Sequence, residues 1–394
     1  MISMENFKVC QHDEFCGGCI YQGVPYEEQL AIKEAEVKNI FAEKDIQADI
    51  FDGIEGCPEE HRYRYRNKME YTFGDFVKDG PICLGMHKKK NFMSIVTVDH
   101  CQLVDEDFNK ILRFSLDFAV EMGYKHYHKK SHTGLLRHLI VRKGIRTGEL
   151  LINIVTSRED GFDEEAYVNG LLALPLTNKI SGILRTLNDN IADKVTCEEL
   201  KILWGKDYYM ETILGLQFRV SAFSFFQTNV EAVERLYSEA LALVEDFAGK
   251  SVFDLYCGTG TISQVLALKA KVVLGIEIVE EAVEAAKENA KLNGLENCQF
   301  LAGDVFEVLE QREEKPDVIV VDPPRVGMST KAVGKIVSYG VDQIIYISCN
   351  PKTLAINLQQ FVYEGYAVRY AKCFDNFPGT KHTECICLLE RKKR

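Results

Sequence analysis

The sequence predicts an α/β protein in two parts, a β-rich N-terminal region followed by a parallel, doubly wound sheet. Three observations carry this. The chain has 394 residues, beyond the length at which a single hydrophobic core usually keeps growing, so two domains are expected. From about residue 61 to 220 the pattern is strand-like: Val96-Thr97-Val98, Leu139-Ile140-Val141 and Leu150 to Val155 are separated by turn signals such as Lys143-Gly144 and Thr147-Gly148. From about residue 230 onward, apolar strands alternate with segments of helical period, the signature of strands joined by crossover helices. The seam falls near Gly215–Ser221, giving regions 1–220 and 221–394.

Composition narrows the class. Hydrophobic residues make up 46% and charged residues 27%, ordinary for globular proteins, which excludes wholesale disorder, a collagen-like chain and a small disulfide scaffold. No apolar run approaches the ~18 residues a membrane span needs. The start, Met1-Ile2-Ser3-Met4-Glu5-Asn6, lacks the basic-then-apolar order of a signal peptide. A cytoplasmic monomer with no membrane partner is expected. Its 13 cysteines are then free thiols, available as metal ligands or nucleophiles.

Four of those cysteines open the chain's chemistry. Cys10, Cys16 and Cys19 lie close together, with Cys101 far downstream, and Cys57 and Cys83 compete for the fourth place. Close-spaced thiols of this kind suggest a metal, with zinc the first choice on spacing alone. The helical pattern at 26–45 has Tyr26, Leu30, Val37 and Phe41 on one face and is a candidate to pack on the C-terminal half. The net charge of −12 disfavours a polyanionic partner, yet residues 61–92 carry 8 Lys/Arg against 3 Asp/Glu, and residues 125–146 carry 7 and none. In His61-Arg62-Tyr63-Arg64-Tyr65-Arg66 rings alternate with cations, a mixture suited to bases and phosphates of single-stranded nucleic acid. The plainer reading is two strands with a basic solvent face.

In the C-terminal half each strand runs into an unusual polar motif. Ser251 to Tyr256 ends in Cys257-Gly258-Thr259-Gly260, where two glycines allow a tight turn and close approach of a ligand. Ser263 stands where a dinucleotide fingerprint wants its third glycine. Val272 to Ile276 ends in Glu277, suited to ribose hydroxyls. Helix Glu280 to Leu292 stops at Asn293-Gly294, and the strand through Gln299-Phe300-Leu301 ends in Gly303-Asp304. Two further strands end in Asp322-Pro323-Pro324-Arg325 and Ser348-Cys349-Asn350-Pro351. Ligand sites of open parallel sheets lie beyond the carboxyl ends of the strands, so these motifs point to one shared site. Asn350 reads as a helix N-cap with Pro351 first in the helix, which places Cys349 where a helix dipole favours its thiolate. Glu384, just before the apolar run Cys385 to Leu389, is a candidate general base.

Taken together, these motifs resemble the S-adenosylmethionine-dependent RNA uracil-5-methyltransferases, which make 5-methyluridine in 23S rRNA or tRNA. The resemblance spans nearly the whole chain. It rests on Phe225-Phe226-Gln227-Thr228-Asn229, the turn Asp254 to Gly260, Asp322-Pro323-Pro324-Arg325, Ser348-Cys349-Asn350-Pro351, and Phe377-Pro378 through His382-Thr383-Glu384. It implies a class I, Rossmann-like methyltransferase domain over 221–394. Gln227, Tyr256, Glu277 and Asp322 would bind S-adenosylmethionine, with Asp304 near the adenine as a weaker carry-over. Cys349 would be the nucleophile and Glu384 the base. It also implies that Cys10, Cys16, Cys19 and Cys101 hold a [4Fe-4S] cluster, which within the family favours 23S rRNA over tRNA. RNA cytosine-5 methylation and a non-catalytic metal-containing RNA-binding protein are the alternatives.

Many family members begin with an extra OB-like RNA-binding domain of roughly 60 residues. Here Cys10 leaves no room for one, so the basic windows at 61–92 and 125–146 are expected to supply the RNA affinity.

Overall fold

The computed structural model describes residues 9–191, 195–310 and 314–393; the stretch Met1 to Asn6 lies outside them. A loop bearing Cys10, Cys16 and Cys19 leads to helix α1 (Tyr26–Glu43) and strand β1 (Ala48–Glu55). α1 buries Tyr26, Gln29, Lys33, Val37 and Phe41. Lys33, like Gln29, is a polar residue in a buried stripe where helical spacing calls for hydrophobic ones.

Next come β2 (Lys68–Asp75), β3 (Ile82–Lys88), β4 (Asn91–Thr97), α2 (Glu106–Glu121), β5 (Leu136–Lys143), β6 (Glu149–Thr156), α3 (Glu164–Leu172), β7 (Lys179–Leu187) and β8 (Glu199–Gly205). Their strands form a seven-stranded sheet in the order β4-β3-β2-β5-β6-β7-β8. Only β6 and β7 pair in parallel, and α3 is the crossover that such a pair requires. The two helices depart from the strand-like pattern expected for 61–220. α2 starts at Asp105, whose carboxylate accepts the Asp107 N–H, and it buries Phe108, Ile111, Leu112, Leu116 and Ala119 at helical spacing. That spacing is itself a sequence signal for a helix.

A hairpin, β9 (Tyr208–Ile213) and β10 (Leu216–Ser221), turns at Leu214-Gly215, both with positive φ. Then follow α4 (Val230–Ala242), β11 (Ser251–Leu255), α5 (Thr261–Ala267), β12 (Val272–Glu277), α6 (Glu280–Leu292), β13 (Cys298–Ala302), α7 (Val305–Glu310), β14 (Val318–Val321), α8 (Thr330–Tyr339), β15 (Gln343–Ser348), α9 (Pro351–Tyr363), β16 (Tyr366–Phe374) and β17 (Glu384–Arg391). They build an eight-stranded sheet, β1-β16-β17-β15-β14-β11-β12-β13, in which β17 alone is antiparallel to its neighbours. The pleat sorts its residues cleanly: Val252, Val320 and Ile345 face one core, while Phe253, Ile319 and Ile344 face the other.

β1 pairs in parallel with β16, and α1 packs on β1 and α9. The segment 26–55 therefore sits on the C-terminal sheet rather than with the rest of 1–220. Phe41, Phe51 and Ile54 join the core beneath α9, which is the apolar surface that recruits it. The other core continues from the C-terminal sheet through Tyr209 and Phe218 of the hairpin to Leu151 and Leu184 of the seven-stranded sheet. Asn67 adds a polar tie, its backbone N–H donating to Thr228 O and its Nδ2 to Gln227 O, both at 3.0 Å.

Candidate active site

The strand order of the eight-stranded sheet reverses between β11 and β14, so the helices that follow them diverge and leave a crevice at the carboxyl ends. β11 runs into Tyr256 at φ +70°, then Gly258 at +53° and Gly260 at +74°, before α5 begins. Gly260 has no substitute, because a Cβ there would meet the Phe300 ring at 2.6 Å and the Ala286 methyl at 2.9 Å. Ser263, in place of the third glycine, donates its hydroxyl to the buried Asp254 carboxyl. Burial pushes Asp254 up to about 8. Glu277 is aimed by backbone donors: its Oε2 accepts Gly258 N–H at 3.1 Å, and its Oε1 accepts the N–H groups of Ile278 and Val279.

The motif Phe225 to Asn229 divides its work. Phe226 is buried in the core and Gln227 Nε2 donates to Tyr237 Oη at 3.4 Å. Asn229 caps α4, while its Nδ2 donates to Asn376 O at 2.8 Å. Asp322 follows β14 directly and is pushed up to about 7 by burial. Asn350 caps α9 with Pro351 in its first turn, as expected, and its Nδ2 donates to Arg325 O at 2.9 Å. Glu384 begins β17. Though a strand-start glutamate is ordinarily solvated, this one is 8% exposed, and burial together with Asp322 raises it to about 8.

Gln227, Tyr256, Glu277, Asp322, Cys349 and Glu384 all line one cavity of about 1350 Å³. Asp304 does not line it. It sits close enough to Tyr256 for its charge to raise the phenol, and its Oδ1 accepts the Glu307 N–H. One expectation is overturned. The Cys349 thiol is not eased toward thiolate: burial, then Glu384 and Asp322, push it up to about 11, against a hydrogen bond and positive charge from Arg325. Desolvation is the largest cause, and the two carboxyls add to it.

Cys10, Cys16, Cys19 and Cys101 line a second cavity of about 280 Å³, together with His12, Thr380 and His382. The four thiols lie within electrostatic reach of one another, and each of the other three adds to the burial that pushes Cys101 up to about 12. Four thiols around one cavity are a donor set suited to an iron–sulfur group, whose positive charge would relieve the burial of Cys16, Cys19 and Cys101. Among the described residues no three of them come as close together as a single tetrahedral ion requires. Neither rival cysteine is there. Cys57 packs by Tyr26 with its Sγ toward His61 O, and Cys83 Sγ lies 3.6 Å from Pro81 O.

Most of the expected nucleic-acid cations have other partners. Arg62 stacks 3.9 Å over the Tyr26 ring, Lys88 lies over Phe76, and Lys89 pairs with Asp13 at 2.7 Å. Arg137 and Arg142 are buried and donate to the carbonyls of Asn188 and Ser224. Lys143 pairs with Asp105 and Arg146 with Glu234. Arg64, Lys90, Lys125 and Lys130 remain exposed, and Arg66 lines both cavities.

Sequence reasoning quoted Arg325 and His382 only as motif residues without their contact, and missed Lys33 and Asp375. Arg325 Nη2 donates to His382 Nδ1 at 2.9 Å, and burial with the surrounding cations lowers His382 to about 4, so the ring is a neutral acceptor. The buried Lys33 pairs with the buried Asp375 at 2.6 Å. A lysine within the apolar stripe of α1 was the available signal.

Comparison with known proteins agrees with this geometry. The tRNA (uracil-5-)-methyltransferase family matches residues 178–392. An uncharacterized RNA methyltransferase of Clostridium acetobutylicum is 48% identical over 97% of this chain and 84% of its own length. Another, from Caldanaerobacter subterraneus, is also 48% identical with the same coverage. Among solved structures, the Pyrococcus abyssi tRNA (uracil-54, C5)-methyltransferase in complex with S-adenosyl-L-homocysteine superposes with a TM-score of 0.76. It is 25% identical over 95% of this chain and 86% of that one.

The buried carboxyls make a stability prediction. Asp254 and Glu384, raised to about 8, bind protons in the fold that the unfolded chain releases near pH 4, so their contribution is complete in acid and lost as pH rises through 8. His382, lowered to about 4, acts oppositely, but its contribution is already complete above pH 7. Urea titrations of the free protein should therefore show a loss of about 1 kcal/mol per carboxyl between pH 7 and 8.5. Glu384→Gln should remove its share. An unchanged slope in that variant would contradict the assignment.

Proposed function

The chain belongs to the S-adenosylmethionine-dependent RNA (uracil-5-)-methyltransferases, and on that premise we propose that it methylates C5 of a uridine in 23S rRNA through a covalent bond between Cys349 and uracil C6. The observation that carries this reading is the single cavity shared by Cys349, Asp322 and Glu384 with the glycine turn. Uracil C5 is too weak a nucleophile to take a methyl group unaided. Addition of the Cys349 thiolate to C6 makes an enolate whose C5 can attack the methyl carbon. Glu384 then accepts the C5 proton, the C5–C6 double bond reforms, and the thiolate leaves. The target base must leave its stack to enter the cavity.

S-adenosylmethionine supplies the methyl group, and its sulfonium charge would draw the neighbouring acids and the thiol toward their ionised forms. Gln227, Tyr256, Glu277 and Asp322 are the residues proposed to hold it, with Glu277 already directed by three N–H donors. Asp304 is a peripheral contributor beside Tyr256. Cys10, Cys16, Cys19 and Cys101 are proposed as the ligands of a [4Fe-4S] cluster. Residues 221–394, joined by α1 and β1, form the catalytic part, and the seven-stranded sheet with the cysteine loop forms the RNA-facing part. The cysteine set favours ribosomal RNA. A tRNA uridine is the second reading, favoured by the likeness to the Pyrococcus abyssi tRNA enzyme.

RNA containing 5-fluorouridine plus cofactor should trap a protein–RNA adduct, since fluorine cannot leave as a proton. An adduct that persists in Cys349→Ala would sink the nucleophile assignment. Mass mapping of rRNA and tRNA from a knockout strain identifies the substrate: loss of 5-methyluridine from tRNA alone would overturn the ribosomal reading.

Anaerobically purified protein should be brown and carry about four irons per chain. Colourless protein with stoichiometric zinc would replace the cluster by a zinc site.

Exposed and internally paired arginines should behave differently. Arg64→Gln should flatten the salt dependence of RNA binding by roughly 0.7 for the single-strand phosphate that is no longer neutralised. Arg62→Gln should lower thermal stability and keep the slope, because its guanidinium stacks on Tyr26. The reverse pattern would refute this division.

A further inference from the structure

One ammonium closes the loop that leads into Glu384. β16 ends at Phe374 and β17 begins at Glu384, and residues 375–383 connect them. Lys33 Nζ donates to Asp375 Oδ1 at 2.6 Å, to Phe377 O at 3.3 Å and to His382 O at 3.0 Å. Three acceptors match the three protons of an ammonium, and they come from both ends of the loop. Neither side chain of the ion pair is exposed to solvent. The second Asp375 oxygen accepts the Tyr26 hydroxyl at 2.8 Å, so two residues of α1 grip the same carboxylate.

A buried ion pair is a poor way to gain stability, since apolar residues of similar volume usually serve as well or better. What Lys33 does that an apolar side chain could not is hold two carbonyls in fixed directions. Among the described residues no hydrogen bond holds the Glu384 carboxyl, so its direction follows from the backbone that carries it. The His382 carbonyl, two residues earlier, is the nearest part of that loop tied to Lys33.

We propose that Lys33 is a positioning residue for the proton-removal step, setting through His382 and Asp375 where Glu384 meets the C5 proton. This rests on the reading of Glu384 as the base. In that step the C5–H bond breaks with its proton going to Glu384, the electron pair becomes the C5–C6 double bond, and the C6–S bond breaks with its pair returning to Cys349. Lys33 touches none of these atoms.

The test separates the two halves of the reaction. In Lys33→Met, 5-fluorouridine RNA should be trapped at the wild-type rate, because trapping precedes proton removal. On uridine RNA the same variant should accumulate a methylated protein–RNA adduct, seen by denaturing gel and mass spectrometry, with turnover reduced at least tenfold. If Lys33→Met does not fold, Lys33→Met/Asp375→Asn, which leaves no lone buried charge, is read in its place. Wild-type turnover without adduct, or equal slowing of trapping and turnover, would reduce Lys33 to a structural role. Glu384→Gln is the control: if it accumulates no methylated adduct, the base assignment fails independently of Lys33.

Discussion

The reversal of strand order between β11 and β14 is the constraint on which the rest of the molecule depends. Parallel strands need crossovers, and crossovers leaving in opposite directions open the sheet at its carboxyl edge. Four motifs with unusual chemistry in the C-terminal half lie at or just past such an edge. The glycine turn follows β11, Glu277 ends β12, Asp322 follows β14 and Cys349 follows β15. β17 enters from the opposite direction, which brings its first residue, Glu384, to the same edge. An antiparallel strand is what brings the Glu384 carboxyl to the edge where a parallel strand delivers the Cys349 thiol.

The site concentrates groups that resist ionisation. Asp254 and Glu384 are buried acids and Asp322 a half-buried one, and each is raised mainly by desolvation. The thiol beside them is raised as well. Arg325 is the cation that opposes the trend for Cys349 and Glu384. A positive charge placed beside these groups would draw them toward their ionised forms.

The loop between β16 and β17 is where the N-terminal segments act on the catalytic part. Gly379 O accepts the N–H groups of Ile20 and Tyr21, just after Cys19. Gly379 N–H donates to Gln29 Oε1, and Pro378 O accepts the Tyr65 hydroxyl. Thr380 and His382 line the cysteine cavity, and His382 also lines the active-site cavity. His382 and Arg66 line both cavities, so the wall between them joins this loop to the basic segment before β2.

Features set by neighbours in sequence are legible in the order of amino acids alone. The glycine turn, the Asn350-Pro351 helix start, the Asn293-Gly294 stop and the alternation of strands and helices all depend on backbone preferences over a few residues. Cys10, Cys16 and Cys19 could be picked out because cysteines at that spacing have few other uses, whereas it is the fold that brings Cys101 rather than Cys57 or Cys83 to their cavity. Tertiary structure alone decided what depends on distant partners. Lys33 finds Asp375 from 342 positions away, and a lysine in the apolar stripe of α1 marks the anomaly without naming its partner. In the basic windows Arg62, Lys89, Arg137, Arg142, Lys143 and Arg146 turn to internal partners, so charge counted along the chain overstates the surface that RNA can meet. The Cys349 thiol departs from expectation for the same reason: a helix N-terminus is visible in sequence, whereas desolvation and the approach of Glu384 and Asp322 exist only once the chain has folded.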